Sequence, residues 1–219
     1  MKTAIGMEKT VARRVWMREA AFGLGGLFLI SCGGTQTAQA PEEEPKKIEA
    51  VTAMRAFTFA YGKARSKAPD LQVFSISNLN LEGVPSGEGK AGAWQFQFVS
   101  PGKKALYSLR YAVADELPSF REGAWDTGMQ AYNEGSTRAK PFAVQALRCD
   151  SDAAFEIAAE NAADYLKKEG VPPVNFHLEM NADYALPMWR VYWGHTLSTA
   201  EYSVFIDANQ SKFLKKGKG

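Results

Sequence analysis

A chain of 219 residues with 26 lysines and arginines against 24 acids carries a net charge of only +2. Its first 31 residues hold Lys2, Lys9, Arg13, Arg14 and Arg18 against Glu8 and Glu19, a net of +3, so the remaining 188 stand at −1. That near-neutral remainder lacks the basic footprint of a nucleic-acid binder, and it is long enough for one sizeable core or two small ones.

The first apolar run is Ala20–Ile30, eleven uncharged residues. A bilayer span needs about 20, so this run is too short to cross and suits the apolar core of an export signal. Gly23, Gly25 and Gly26 argue against a buried helix, since each costs about 1 kcal/mol in a helix interior. The run ends in Leu29-Ile30-Ser31-Cys32, with a small residue before the cysteine and arginines upstream. This resembles a bacterial lipoprotein signal peptide with its lipobox at Leu29, Ile30 and Ser31. The resemblance implies removal of residues 1–31, a diacylglycerol thioether (palmitate-type chains) on Cys32, and a membrane partnership through that lipid. Stable anchoring needs more than one acyl chain, each buried CH₂ contributing about 0.8 kcal/mol. Gly33 stands where an aspartate would resemble an inner-membrane retention signal, so the expected location is the cell envelope, at the outer membrane if the host has two. Ala12–Arg18 fits either an ordinary basic leader or a loose twin-arginine signal.

Residues 32–47 continue with Gly, Thr, Gln, Pro, Glu and Lys. Such a composition cannot bury enough apolar surface to order itself and reads as a tether. With Cys32 assigned to lipid, Cys149 has no partner and is expected as a small buried apolar residue.

From Ile48 to Lys67, Ala53, Phe57, Ala60 and Ala64 recur at helical spacing and Pro69 closes the segment. Alternating strands follow at Leu71–Ser77, Ala93–Val99 and Ala105–Val113, with Trp94, Phe96 and Phe98 on one face. Residues 116–150 are less periodic and read as a connection, with one further strand possible at Phe142–Leu147. A second helix spans Asp152–Glu169, N-capped by Ser151, with its stripe at Phe155, Ala158, Ala162 and Leu166. Strands return at Val174–Met180, Met188–Trp193 and Glu201–Asp207, and Lys212, Lys215, Lys216 and Lys218 form a basic tail expected to be solvated. An offset of 95 places Trp94 on Trp189, Tyr107 on Tyr202 and Ser108 on Ser203. Repeated helix-then-strands order at that offset predicts an α+β protein of two tandem helix-plus-antiparallel-sheet units, 48–115 and 151–216, related by internal duplication.

The second unit resembles a PepSY-type domain in its alanine-rich helix Ala153–Lys168, its strand around Trp189-Arg190-Val191, and its closing run Tyr202–Ala208 with the Asp207-Ala208 pair. The first unit shares the layout without that pair. The resemblance implies a binding or inhibitory module without catalytic residues, Asp207 serving to cap the final turn.

The residues themselves offer little chemistry. His177 and His195 are the two histidines, too few for a metal site with Cys149 alone. Gly83–Gly92 has the wrong spacing for a phosphate loop, and Ser100-Pro101-Gly102-Lys103 reads as a hairpin turn rather than a Ser-x-x-Lys nucleophile. No cofactor and no metal are expected. Trp125 and Trp193 are the candidate binding-surface aromatics, because Trp dominates binding hot spots. The expected function is a lipid-anchored, non-catalytic binder of a protein or peptide. A structural or assembly lipoprotein, and an envelope hydrolase with its site in 116–150, are the alternatives.

Overall fold

Helix α1 (Ala53–Ala64) begins where Thr52 caps it, the hydroxyl accepting from the Arg55 amide. The structure, a computed structural model, describes residues 48–218 apart from Ser136, Ala182 and Asp183. The leader, the tether, and the residues Leu29, Ile30, Ser31 and Cys32 lie outside the described residues. Ala53, Ala56, Phe57, Ala60 and Ala64 make the buried face of α1. Small side chains at i, i+4 spacing let the helix lie close on a sheet, where Phe57 meets Phe96 and Phe98 with ring centroids 5.9 and 5.7 Å apart.

The sheet under α1 consists of β2 (Gln72–Leu79), β4 (Ala93–Ser100), β5 (Ala105–Ala112) and β6 (Gly123–Ala131), antiparallel and in that spatial order. Two short strands, β1 (Val51–Thr52) and β3 (Lys90–Ala91), pair separately. Helix α2 (Ser151–Asn161) is then followed by a second meander, β8 (Val174–Asn181), β9 (Leu186–Trp193), β10 (Tyr202–Asp207) and β11 (Lys212–Lys218). The two meanders join through β2 and β8, so the strands run β11-β10-β9-β8-β2-β4-β5-β6 in one antiparallel sheet. The expected α+β class holds, but the two predicted units share one sheet and one principal core, inside a single compact unit, Pro45–Gly219.

The halves correspond in register. Under the 95-residue offset the pair Trp94↔Tyr111 maps onto Trp189↔Ile206, and Phe96↔Leu109 onto Val191↔Val204. An offset of 98 maps Ala56, Ala60 and Ala64 of α1 onto Ala154 and Ala158 of α2 and Ala162 at its C-cap, all buried. In each half the buried tryptophan donates its indole N–H to the carbonyl just before the helix cap, Trp94 to Val51 at 3.0 Å and Trp189 to Cys149 at 2.9 Å.

Four expectations are corrected. Ser151 is not the cap of α2: Asp150 caps it, and Ser151 is its buried first residue. Leu166 leaves the apolar stripe because the helix breaks at Ala162 and restarts as α3 (Ala163–Leu166), which turns Tyr165 inward and leaves Leu166 exposed. The connection 116–150 supplies β6 and the short strand β7 (Ala139–Lys140), which pairs with β8, while the Phe142–Leu147 strand reduces to a bridge from Phe142 to Val73 and a 3₁₀ turn at Val144–Ala146. The basic tail is not frayed but forms edge strand β11, where lysines guard an open edge against further pairing.

Asp207 does cap the last turn, its carboxylate accepting from the Asn209 and Gln210 amides at 2.8 and 3.1 Å. The left-handed residue of that turn is Ser211 (φ 52°). Ala208 is fully buried, and its carbonyl accepts from both Arg148 and Cys149, tying the turn to the lead of α2.

Candidate functional site

Helices α1 and α2 lie on one face of the sheet, and among the described residues no helix covers the other. Alternation puts Trp94, Phe96, Trp189 and Val191 under the helices, so their strand neighbours must occupy the opposite face. Directly paired residues of an antiparallel sheet share a face. On the helix-free face the pairing therefore draws one line across all eight strands. In the first half it runs Trp125, Arg110, Gln95 and Ser77. It crosses the seam to His177 and continues through Arg190, Phe205 and Lys215.

The line is ordered by its own contacts. At the centre, Ser77 Oγ lies 2.8 Å from His177 Nδ1, and His177 Nε2 lies 3.3 Å from a Glu179 oxygen. The bond to His177 comes first among the causes that hold the Glu179 carboxyl below the usual carboxylate range, with smaller help from the His177 and Arg190 charges and against the cost of burial. Arg190 donates from Nε to Ser203 Oγ at 3.0 Å, and its guanidinium lies 5.7 Å from the Tyr192 ring and 5.6 Å from the Phe205 ring. Burial lowers the Arg190 pKa from its ordinary value. On the far side of Phe205, Lys215 Nζ stands 4.8 Å from the ring centroid and donates to the Tyr184 hydroxyl at 2.8 Å. His177, Glu179, Tyr184, Arg190, Leu197, Phe205 and Lys215 wall a depression of about 250 Å³. A broader one of about 720 Å³, at Gln72, Pro101, Lys104 and Tyr132, lies at another end of the sheet and gathers no comparable set of fixed side chains.

The sequence-predicted aromatics do not meet. Trp125 is half-buried at the β6 end of the line, edge-to-face with Phe120 at 6.4 Å. Trp193 is a core residue at 3 % exposure, on the helix side, packed on Tyr165 and Tyr202 at 5.9 and 6.1 Å. Its placement on a binding surface is corrected, because its strand parity turns it under α2 and α3. Cys149 is buried, and burial pushes its thiol above the ordinary range. His195 is exposed and distinct from the line. Ser100 accepts from the Lys103 amide within the β4–β5 hairpin, as the Pro-Gly turn predicts, and donates to Asp70 ahead of β2.

Ser77, His177 and Glu179 present the groups of an acyl-transfer triad in a different order. Serine meets Nδ1 and the carboxylate meets Nε2, and Ser77 sits mid-strand between two ladders that occupy the neighbouring amides. Among the described residues, the ladders on either side of Ser77 leave no spare pair of backbone donors beside it to hold an oxyanion. Among the described residues there is no group of three metal-type ligands and no helix long and apolar enough to cross a membrane.

No protein-family model matches the chain, and no curated protein matches its sequence. Among solved structures, a crystal structure of a protein provisionally designated a lipoprotein from Clostridium difficile 630 is similar at 13% identity, covering 80% of this chain and 97% of that one with a TM-score of 0.44. A likeness of that size carries no conclusion to this chain.

Proposed function

We propose that this chain is a lipid-anchored protein of the cell envelope, fixed through Cys32, whose two PepSY-like halves arose by internal duplication and together bind a protein or peptide without catalysis. The observation that carries the binding reading is the helix-free face. Eight strands present one line of half-buried polar, cationic and aromatic side chains there, rather than the fully solvated polar surface an uninvolved sheet face would show. The shared register of β4–β5 and β9–β10 supports duplication, and the short lipobox run with its upstream arginines supports the anchor. Outer-membrane placement rests on Gly33 after the cysteine.

The test is a photocrosslinker at Gln95, on the helix-free face, compared with one at Phe59, which is 54% exposed on the helix side. Cells carrying each are irradiated and the envelope fraction analysed, with Cys32→Ala beside the native chain. A protein or peptide captured from Gln95 and not from Phe59 supports the binding face, and its loss in Cys32→Ala supports a role at the membrane. Equal capture at both positions, or none, refutes the face as the binding surface. Cys32→Ala remaining in the membrane fraction refutes the anchor.

A further inference from the structure

We infer that the depression around Phe205 is a carboxylate site that receives the free C-terminal carboxylate of a peptide. This deepens the proposed peptide-binding reading and rests on it. Two cations, Arg190 and Lys215, flank the Phe205 ring at 5.6 and 4.8 Å. Among the described residues the lysine and arginine ion pairs are Lys67–Asp126 and Lys167–Asp164, so neither cation is in one. Both are nevertheless held in place. Arg190 is fixed through Nε by Ser203 and lies against two rings, and Lys215 is fixed by the Tyr184 hydroxyl. Positioned cations with no carboxylate in direct contact, beside an aromatic wall, are preorganised for an anion and lose little entropy on meeting one.

The charge of the depression selects the kind of anion. With the His177 ring uncharged, Arg190 and Lys215 contribute two positive charges, and Glu179 returns one. A net of one positive charge matches a single carboxylate. A dianionic phosphate or a polyanion would meet Glu179 with repulsion. The guanidinium is planar, and with Nε already bonded to Ser203 it offers its two terminal nitrogens to the two coplanar oxygens of a carboxylate. A free volume of about 250 Å³ holds roughly eight waters at about 30 Å³ each, the scale of a chain terminus rather than a folded partner. Leu197, Met188 and Phe205 supply apolar contact for the last side chains.

The probe is pentaalanine with a free carboxylate, compared with pentaalanine amide. Each is titrated to millimolar concentration into the ¹⁵N-labelled full chain in detergent, following the Arg190 side-chain Nε–H resonance. The free acid is expected to shift that resonance saturably and to bind at least tenfold more tightly than the amide. Lys215→Gln should weaken the acid at least fivefold and leave the amide unchanged. Arg190→Lys, which keeps the charge but not the fork, should lose most of the preference, read from the Tyr184 amide. Backbone spectra of both variants establish that they are folded. Equal shifts from acid and amide, no shift from either, or an unchanged preference in both folded variants overturns the carboxylate site. The wider reading fails separately: a partner still captured through Gln95 in Lys215→Gln would leave the face intact and sink only this site.

Discussion

Three glycines in the loop before β4 separate backbone strain from steric overlap, and alanine at each gives a different expected cost. Gly87 has no left-handed backbone and no atom within 4 Å of an added Cβ, so Gly87→Ala should change stability by less than about 0.5 kcal/mol. Gly83 has φ of 74° with equally open space. Gly83→Ala pays the left-handed penalty of about 1–2 kcal/mol, reduced by the stiffer unfolded chain, for a net of about 1 kcal/mol. Gly89 combines φ of 76° with a Cβ that would stand 2.2 Å from the Asp152 Cα and 2.4 Å from its amide nitrogen. Both contacts are backbone, so relief requires the start of α2 to retreat by about an ångström from ordinary contact. That movement weakens the bond from Ser151 Oγ to the Gly89 carbonyl and strains the Ser151 bond to the Ala53 amide. With the left-handed penalty at about 1 kcal/mol, overpacking at about 1–3 kcal/mol and each bond at about 1 kcal/mol, Gly89→Ala should cost about 4–6 kcal/mol. Urea unfolding followed by tryptophan fluorescence reads the series, since Trp94 and Trp189 are fully buried in the two halves. Gly89→Ala within 0.5 kcal/mol of Gly83→Ala would refute the close approach of this loop to α2.

Asp150 Oδ1 accepts from the Met54 amide at 2.9 Å and the Ser151 amide at 2.6 Å, so one carboxylate serves the first turns of both helices. Asp150→Ala should cost about 2–4 kcal/mol and lower Tm by about 5–15 °C, whereas Asp150→Asn, which keeps an acceptor, should recover at least half by calorimetry. Trp94→Phe and Trp189→Phe each leave a carbonyl ahead of a helix without its indole donor and should each cost about 1–3 kcal/mol in urea unfolding. Glu179 has its pKa lowered in the folded chain, so the stability it contributes is present at neutral pH and is lost as pH falls through that lowered value. His177→Ala removes the first cause of the lowering, and acid unfolding should then begin at a higher pH; an unmoved acid limb would separate Glu179 from His177.

The helices and the six inner strands were legible because burial wrote them into the sequence. Trp94, Phe96 and Phe98 alternate because one side of β4 meets α1, and Ala53, Phe57, Ala60 and Ala64 repeat because one side of α1 meets the sheet. The outer strands β6 and β11 lack that imprint. Residues of β6 from Asp126 onward are exposed on both faces, and β11 alternates little among its lysines, so neither carries the period of a half-buried strand. The packing of the loop Gly83–Gly92 was not legible, because a backbone approach such as that of Gly89 to Asp152 leaves no pattern except the glycine itself. The line on the helix-free face was hidden for another reason. Its members come from eight strands, and Ser77 and His177 become neighbours only once β2 pairs with β8, 100 residues apart in sequence.

That seam makes the candidate site a property of both halves at once. Backbone pairing between β2 and β8 covers only Ser75↔Glu179, Ile76↔Leu178 and Ser77↔His177. Side chains and the connection extend it at either end. Buried Asn78 accepts from the Phe176 amide at 2.8 Å and donates to Asn175 at 2.9 Å, doing in side chain what the ladder no longer does in backbone. At the other end Phe142 exchanges two bonds of 2.9 Å with Val73, while Ala139 and Lys140 pair with β8. A half taken alone would expose an unpaired edge at β2 or β8, each lined by buried apolar residues on its helix side and lacking the lysines that guard β11. Such an edge invites pairing with another chain. The sheet resolves that hazard by pairing the two edges with each other, and the same pairing brings Ser77 to His177 and completes the line from Trp125 to Lys215. Joining the halves therefore does two things in one step: it removes the edges that neither half could leave open, and it creates the face on which neither half alone has a centre.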